Sequence, residues 1–358
     1  MPQLALNQKP ALPRVPRPII IIGAGGIVRD AHLPAYHKAG FPVAGIHDLN
    51  QERASKLAAK FGIERVYPSL AEATVEAPAN AVFDIAIPAS ALLETLPCLP
   101  DDRAVLIQKP LGENLDQARQ IVDLCRRKRL RAAVNFQLRY APYVLAARSL
   151  LEQGLIGALH DMEVRVSVYT PWHLWTFLQG MPRVEILYHS IHYLDLLRSF
   201  LGEPRGVYAK TLRQASPSHL APARSSIILD YGDTLRASVS ANHGHRFGLR
   251  HQESFIKWEG TRGAIVAKMG LLLNYPEGEL DELEFCILRE GSLPLWESVK
   301  LKGSWFPDAF IGTMGSVMRW AEDVDDKPPT AVDDALKTMV LVEAAYRSSD
   351  RGGEPVPE

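Results

Sequence analysis

Six short apolar runs alternate with amphipathic stretches over the first 140 residues. Pro18–Ile22 is dominated by isoleucine and ends in Gly23-Ala24-Gly25-Gly26, the pattern of a buried strand entering a tight turn. Phe41–His47, Val66-Tyr67, Ala81–Ile87, Ala104–Gln108 and Arg131–Phe136 read as further strands. Between them, Ile27–Ala39 predicts a helix distorted by Pro34 and closed by Gly40, and Gln51–Phe61 a helix stopped by Gly62. Ala91–Leu99 and Leu115–Lys128 complete the set of predicted helices. Alternation at this spacing predicts a mostly parallel, doubly wound α/β sheet. In such sheets ligands bind beyond the carboxyl ends of the strands, where Gly23, Asp48, Pro88, Lys109 and Asn135 all fall.

The pattern then changes. Ala141–Gln153 and Glu185–Leu201 read as helices, and His160–Tyr169 as a strand. Gly206–Lys210, Ser225–Tyr231, Thr234–Ala241, Glu253–Glu259 and Leu283–Leu288 are strand-like with no helices between them. This predicts an α+β domain with a mostly antiparallel open sheet, closed by helices at Ala309–Glu322 and Asp333–Ser348. Residues 1–17, with Pro10, Pro13 and Pro16, read as a flexible tail. The domain division is therefore 1–17, then 18–140, then 141–358.

A chain of 358 residues exceeds what one hydrophobic core supports, which agrees with two domains. The 40 basic and 41 acidic residues leave a net charge of -1, so no attraction to nucleic acid or to an anionic membrane surface is expected. No apolar run is long enough to span a bilayer, and the first residues lack a signal-peptide pattern. Cys98, Cys125 and Cys286 are odd in number and far apart, which points to a reducing, cytoplasmic setting.

The glycine turn carries the first chemistry. A dinucleotide-binding turn needs one glycine for the bend, a second for close backbone approach to a pyrophosphate, and a third small residue for helix–strand packing. Gly23 and Gly25 fill the first two positions, with Ala24, Gly26 and Ile27 alongside, while Val28 occupies the third. Asp48, at the end of the second strand, is placed to accept both adenosine ribose hydroxyls and to repel a 2′-phosphate. NAD is the expected cofactor. Arg53 lies near enough to weaken that preference, so NADP stays open.

Gly23–Tyr36 (GAGGIVRDAHLPAY), Asp48, Gln108-Lys109-Pro110-Leu111-Gly112 and Asn135–Pro142 (NFQLRYAP) occur in one order. Gly154–Gly157, His192-Tyr193-Leu194-Asp195, Glu259–Gly263 and Pro329–Met339 continue it. In this order the chain resembles the glucose–fructose oxidoreductase/inositol dehydrogenase/MocA family from residue 18 onward. The resemblance implies an N-terminal Rossmann domain and hydride transfer between nicotinamide and a secondary alcohol of a sugar, inositol or related polyol. The C-terminal sheet suggests an oligomer, a homodimer or homotetramer. The resemblance also implies that Lys109 lies beside the nicotinamide and contacts the reacting hydroxyl, with Gln108 standing where the family usually has Glu. His192 matches the family's helix histidine, but the Asp expected four residues earlier is Tyr188.

At about 100° per residue, Glu185, Tyr188, His189 and His192 share one helix face. Tyr188 or His189 could replace the missing Asp, and Glu185, His189 and His192 are candidates for substrate binding. The last three also have metal-ligand character, but three ligands from one helix are crowded, and no metal is expected. Trp172, His173 and Trp175 form an aromatic cluster suited to sugar faces or to loop anchoring, and Arg139 serves either ligand or structure. Gln108, Tyr188 and Val28 depart from the family pattern. They keep a second reading in play, a non-catalytic NAD-binding sensor or regulatory subunit of the same fold.

Overall fold

The computed structural model describes residues 4–214, 220–324 and 326–356. The chain divides into two compact units. One comprises Lys9–Ala141 together with Phe306–Met339, and the other Met1–Gln8, Pro142–Trp305 and Val340–Glu358.

The first unit holds strands β1 (Ile19–Ile22), β2 (Val43–His47), β3 (Val82–Ile85), β4 (Ala104–Ile107) and β5 (Arg131–Val134). They form an all-parallel sheet in the order β2-β1-β3-β4-β5. Every residue of β1, β3 and β4 is buried, as expected of strands covered on both faces. The predicted strand at Val66-Tyr67 is only an isolated bridge from Val66 to Ile46. Pro68 follows at once and has no N–H to extend a ladder.

The helix expected over Ile27–Ala39 is distorted ahead of Pro34. The chain first makes a wide π-type turn, Val28–His32, and Pro34 then falls in the opening turn of an α-helix, Leu33–Ala39, where no intrahelical donor is needed. The stretch read as one helix over Ala91–Leu99 is a series of short turns, Ala89–Ala91, Leu92–Thr95 and Leu96–Cys98.

A segment from the far end of the chain completes this core. The helix Asp308–Glu322 buries Phe310, Met314, Val317, Met318 and Ala321 among Ile19, Ile21, Val28 and Tyr36. Ala331 bridges Ala133 in edge strand β5, and the Val134 N–H donates to the Thr330 carbonyl. The division drawn on the sequence kept this return with residues 141–358, because its partners lie some two hundred residues away.

The tail is not loose where it is described. In the first unit, the Arg14 and Val15 N–H groups donate to the Glu322 carboxylate and hold it below the usual carboxylate range. In the second unit, the Gln8 amide N–H donates to the Lys300 carbonyl at 3.2 Å and its oxygen accepts from the Lys302 N–H at 2.8 Å.

The second unit is built on eight strands. They are β6 (Leu159–Ser167), β7 (Gly206–Leu212), β8 (Arg224–Asp230), β9 (Arg236–Asn242), β10 (Glu253–Gly260), β11 (Gly263–Lys268), β12 (Glu282–Ile287) and β13 (Trp296–Ser298). Their order is β13-β12-β11-β10-β6-β9-β8-β7, antiparallel except for the β6–β9 pair. β11 and β13 are absent from the sequence reading. β11 (GAIVAK) has no polar alternation to read, and β13 is three residues long.

Candidate active site

In the first unit, the turns after β1 and β3 meet above the strand ends. Gly23 has φ +108, and a Cβ there would stand 2.3 Å from the Ala86 carbonyl oxygen. Gly25 is different: a Cβ there would meet nothing within 4 Å. Local packing therefore demands glycine at 23 but not at 25, and the open space over Gly25 suits a ligand's close approach. The first helix starts immediately afterwards, with the Val28 and Arg29 N–H groups donating to the Gly25 carbonyl. Val28 is fully buried, so the third position of the turn accepts a branched side chain.

Asp48 lies at the end of β2, half-buried. Its Oδ2 accepts from the Ala24 N–H at 2.6 Å and its Oδ1 from the Asn50 N–H at 2.7 Å. A carboxylate has about four acceptor sites, so capacity remains for two ribose hydroxyls. Asn50 caps the next helix through the Arg53 N–H, and the Arg53 side chain is exposed one turn from Asp48. Pro88 is exposed after β3, at the start of the turn Ala89–Ala91.

Gln108 and Lys109 follow β4, both half-buried, and the Gln108 N–H donates to the Ile85 carbonyl. The Gln108 Oε1 is buried with no hydrogen-bond partner among the described residues. Burial lowers the Lys109 ammonium to about 8, within reach of proton transfer near neutrality. These residues fit a dinucleotide cofactor. The glycine turn and helix start would hold a pyrophosphate, Asp48 the ribose, and the β3 and β4 ends the remainder.

Beneath them lies a network that the sequence reading missed. The His32 Nδ1–H and the Tyr36 O–H donate to Asp84 Oδ2 at 2.7 and 2.8 Å. The Asn135 amide N–H donates to His32 Nε2 at 3.2 Å. His32, Tyr36, Asp84 and Asn135 are fully buried. Burial, with the Asp84 charge added, raises the Tyr36 hydroxyl well above its ordinary value. The helix period around His32 was the available signal, but Asp84 is 52 residues away. Arg139, read as serving either ligand or structure, makes structural contacts: its guanidinium donates to the Pro329 carbonyl and pairs with Asp334 at 3.0 Å.

In the second unit, the four polar residues read as one helix face fall on two kinds of helix. Glu185–Ser190 is π-helical and passes into an α-helix, Ile191–Leu201. The wider turn shifts the faces that a 100° period predicts. Consistent with that spacing, the Ser190 O–H donates to Glu185 Oε1 at 2.5 Å, five residues back. Tyr188 packs on Phe177, and His192, almost buried, lies edge-on to Trp305.

Glu185 and His189 instead meet His243, which sequence reasoning did not single out. His243 Nε2 is 3.6 Å from Glu185 Oε1, and the His189 and His243 rings are 4.1 Å apart. Trp172 packs edge-on against both histidines. Thr170 Oγ1 lies 2.7 Å from His243 Nδ1. The Glu185 carboxylate favours a proton on Nε2, which leaves Nδ1 to accept from the Thr170 hydroxyl. His243 lies just past β9 with no local motif around it, so only the sheet register brings it here. Among the described residues, no group of three or more His, Cys, Asp or Glu side chains is arranged to hold a metal ion.

An oxidoreductase family model with an NAD-binding Rossmann fold matches residues 18–136, and the GFO/IDH/MocA C-terminal domain model matches residues 144–266. A D-apiose dehydrogenase of Rhizobium rhizogenes is 26% identical over 325 residues, 87% of this chain and 89% of its own. A 1,5-anhydro-D-fructose reductase of Ensifer adhaerens is 25% identical over 254 residues, 69% and 74% of the two chains. In fold, the chain is similar to an oxidoreductase from Agrobacterium radiobacter crystallised with NAD+, L-tartaric acid and magnesium. That match has a TM-score of 0.78 at 22% identity and covers 95% of this chain and 98% of the other.

Proposed function

The chain belongs to the glucose–fructose oxidoreductase/inositol dehydrogenase/MocA family of NAD-binding oxidoreductases, and on that premise we propose that it transfers hydride between nicotinamide and a secondary alcohol of a sugar, inositol or related polyol. The observation that carries this reading is Lys109, whose pKa burial lowers to about 8 in the same row of strand ends as the glycine turn. The similarity to sugar dehydrogenases and reductases over most of the chain supports it and weighs against a non-catalytic sensor.

Held by the glycine turn and Asp48, a nicotinamide dinucleotide would supply the acceptor for the hydride of the alcohol carbon. Lys109, as the neutral amine, takes the hydroxyl proton, and His192 is assigned a second proton-handling role. Tyr188 and His189 are further candidates for proton handling. Single-turnover hydride transfer across a panel of sugars, inositols and sugar alcohols, followed by NADH absorbance, tests the reading. A panel without turnover at any pH from 6 to 10 would sink it.

NAD binds more tightly than NADP in this reading, because Asp48 meets a 2′-phosphate with like charge. Asp48→Asn keeps an acceptor for the Ala24 N–H and removes that charge, so the NADP/NAD affinity ratio rises by about tenfold or more. Fluorescence titration of both cofactors measures it. Equal affinities in the wild type would remove Asp48 from the ribose site.

The assembly is proposed to be a homodimer or homotetramer. Tyr208 and Ile228, opposite each other on β7 and β8, leave 66% and 51% of their surfaces exposed, with Leu212 on the same face. Light scattering should give a multiple of 39.7 kDa, reduced toward that value by Tyr208→Glu. A monomeric wild type excludes the assembly. Among the described residues no helix is long and apolar enough to cross a membrane. The free thiols of Cys98, Cys125 and Cys286 support a cytoplasmic setting.

A further inference from the structure

The second unit contains a cavity of about 360 Å³ whose wall includes Thr170, Trp172, His173, Gln214, His243 and Arg246. That volume lies in the range of small-molecule sites. Every polar side chain of its lining can donate; the Trp172 indole and the Arg246 guanidinium can only donate, while Tyr169, Gln179 and the others also accept. The Trp172 indole N–H and the Gln214 amide nitrogen are buried with no hydrogen-bond partner among the described residues. Arg246 adds a guanidinium and His173 an imidazole, and no Asp or Glu lines the cavity among the described residues. Glu185 lies behind His243 and is occupied by Ser190.

Buried donors without acceptors are costly, and a site that leaves them so is built for a ligand that supplies the acceptors. The Trp172 ring offers an apolar face as well. A neutral sugar hydroxyl donates as readily as it accepts, so it gains nothing particular from a lining rich in donors. A carboxylate only accepts, and it gains most from an arginine and an indole N–H.

We propose that this cavity binds the carboxylate end of a sugar acid, an aldonate or uronate, so that the preferred substrates are acidic rather than neutral sugars. The proposal rests on the reading of the chain as a sugar or polyol oxidoreductase. Arg246 and the Trp172 N–H hold the carboxylate, Gln214 supplies a third donor, and the Thr170–His243 pair fixes the floor.

Isothermal titration of the full chain, with and without saturating NADH, tests it with sodium D-glucuronate and sodium D-gluconate. D-glucose and sodium acetate at matched ionic strength serve as controls. At least one sugar acid should bind about tenfold or more tightly than glucose or acetate. Arg246→Gln and Trp172→Phe should each weaken it about tenfold or more, the loss expected for one charge-assisted hydrogen bond. Arg246 is exposed, so its replacement leaves folding intact and keeps the test valid if Trp172→Phe unfolds. Glucose or acetate binding as tightly as the acids, no binding of either acid, or an unchanged Arg246→Gln variant would each overturn the proposal. Turnover of neutral polyols without sugar-acid binding sinks this site alone. Sugar-acid binding without hydride transfer to any substrate sinks the enzyme reading instead.

Discussion

Lys109→Ala lowers the rate of hydride transfer by about 10²–10⁴-fold, the usual contribution of a positioned acid–base group, and leaves NAD affinity nearly unchanged. The reason is the division of labour along the strand ends. In the proposed mechanism the glycine turn and Asp48 hold the cofactor, while Lys109, just past β4, handles the proton. Because burial lowers the Lys109 ammonium to about 8, alcohol oxidation in the wild type should rise with pH and level off above about 8. Lys109→Arg, which stays cationic, should lose that limb of the profile.

The same shift has a sign for stability. An unfolded lysine titrates near 10.4, so between about 8 and 10.4 the unfolded chain binds a proton that the folded chain does not. Stability from this group therefore rises with pH across that window, and its full cost is present below about 8. Lys109→Met removes the cost and should raise the melting temperature at pH 7 while turnover is lost, a trade expected where a site is strained for function. Stopped-flow absorbance and a thermal melt check the two halves. Near wild-type rates in Lys109→Ala would end the catalytic assignment. Normal folding without NAD binding would make Lys109 a cofactor ligand and return the proton acceptor to the helix carrying His192.

Two neighbouring glycines should fail in opposite ways. Gly23→Ala puts a Cβ 2.3 Å from the Ala86 carbonyl oxygen at φ +108, so β1 and β3 must shift apart at their ends. Left-handed strain of about 1–2 kcal/mol and an overpacking cost of about 1–3 kcal/mol combine, and the first unit should unfold at markedly lower temperature. In Gly25→Val the new Cβ meets nothing within 4 Å, so the melting temperature should hold. NAD affinity should nevertheless fall by about 10²-fold, since the side chain blocks approach to backbone donors worth about 1.5–3 kcal/mol each to a charged group. Calorimetric melts and NAD titration of both variants decide it. A Gly25→Val protein that binds NAD normally would show that the pyrophosphate does not cross the turn.

Much of the first unit was legible from its residues. An isoleucine run into four small residues reads as a strand and a turn because both signals are local. The period of 51–61 and its stop at Gly62 are local too. Lys109 could be picked out because its position at a strand end follows from the same alternation. The direction of its pKa shift follows from the same position, since a lysine in a closing crevice is desolvated, while the extent depends on what packs around it. The polar face of Glu185–Leu201 misled for a related reason. A 100° period does not hold through a π-helical turn; Tyr188 packs on Phe177 and His192 lies edge-on to Trp305.

The sequence by itself determined the class of each half, the glycine turn, Asp48 and Lys109, because hydrophobic period, turn chemistry and strand ends are properties of a few consecutive residues. Tertiary structure alone decided three things. It brought Asp84 and Asn135 to His32 from 52 and 103 residues away, it returned the helix Asp308–Glu322 to the first core, and it set His243 against Glu185 and Trp172. Each depends on a register or a packing choice between distant segments. Local sequence does not encode such a choice; it is made when burial of apolar surface and satisfaction of buried polar groups are solved for the whole chain together.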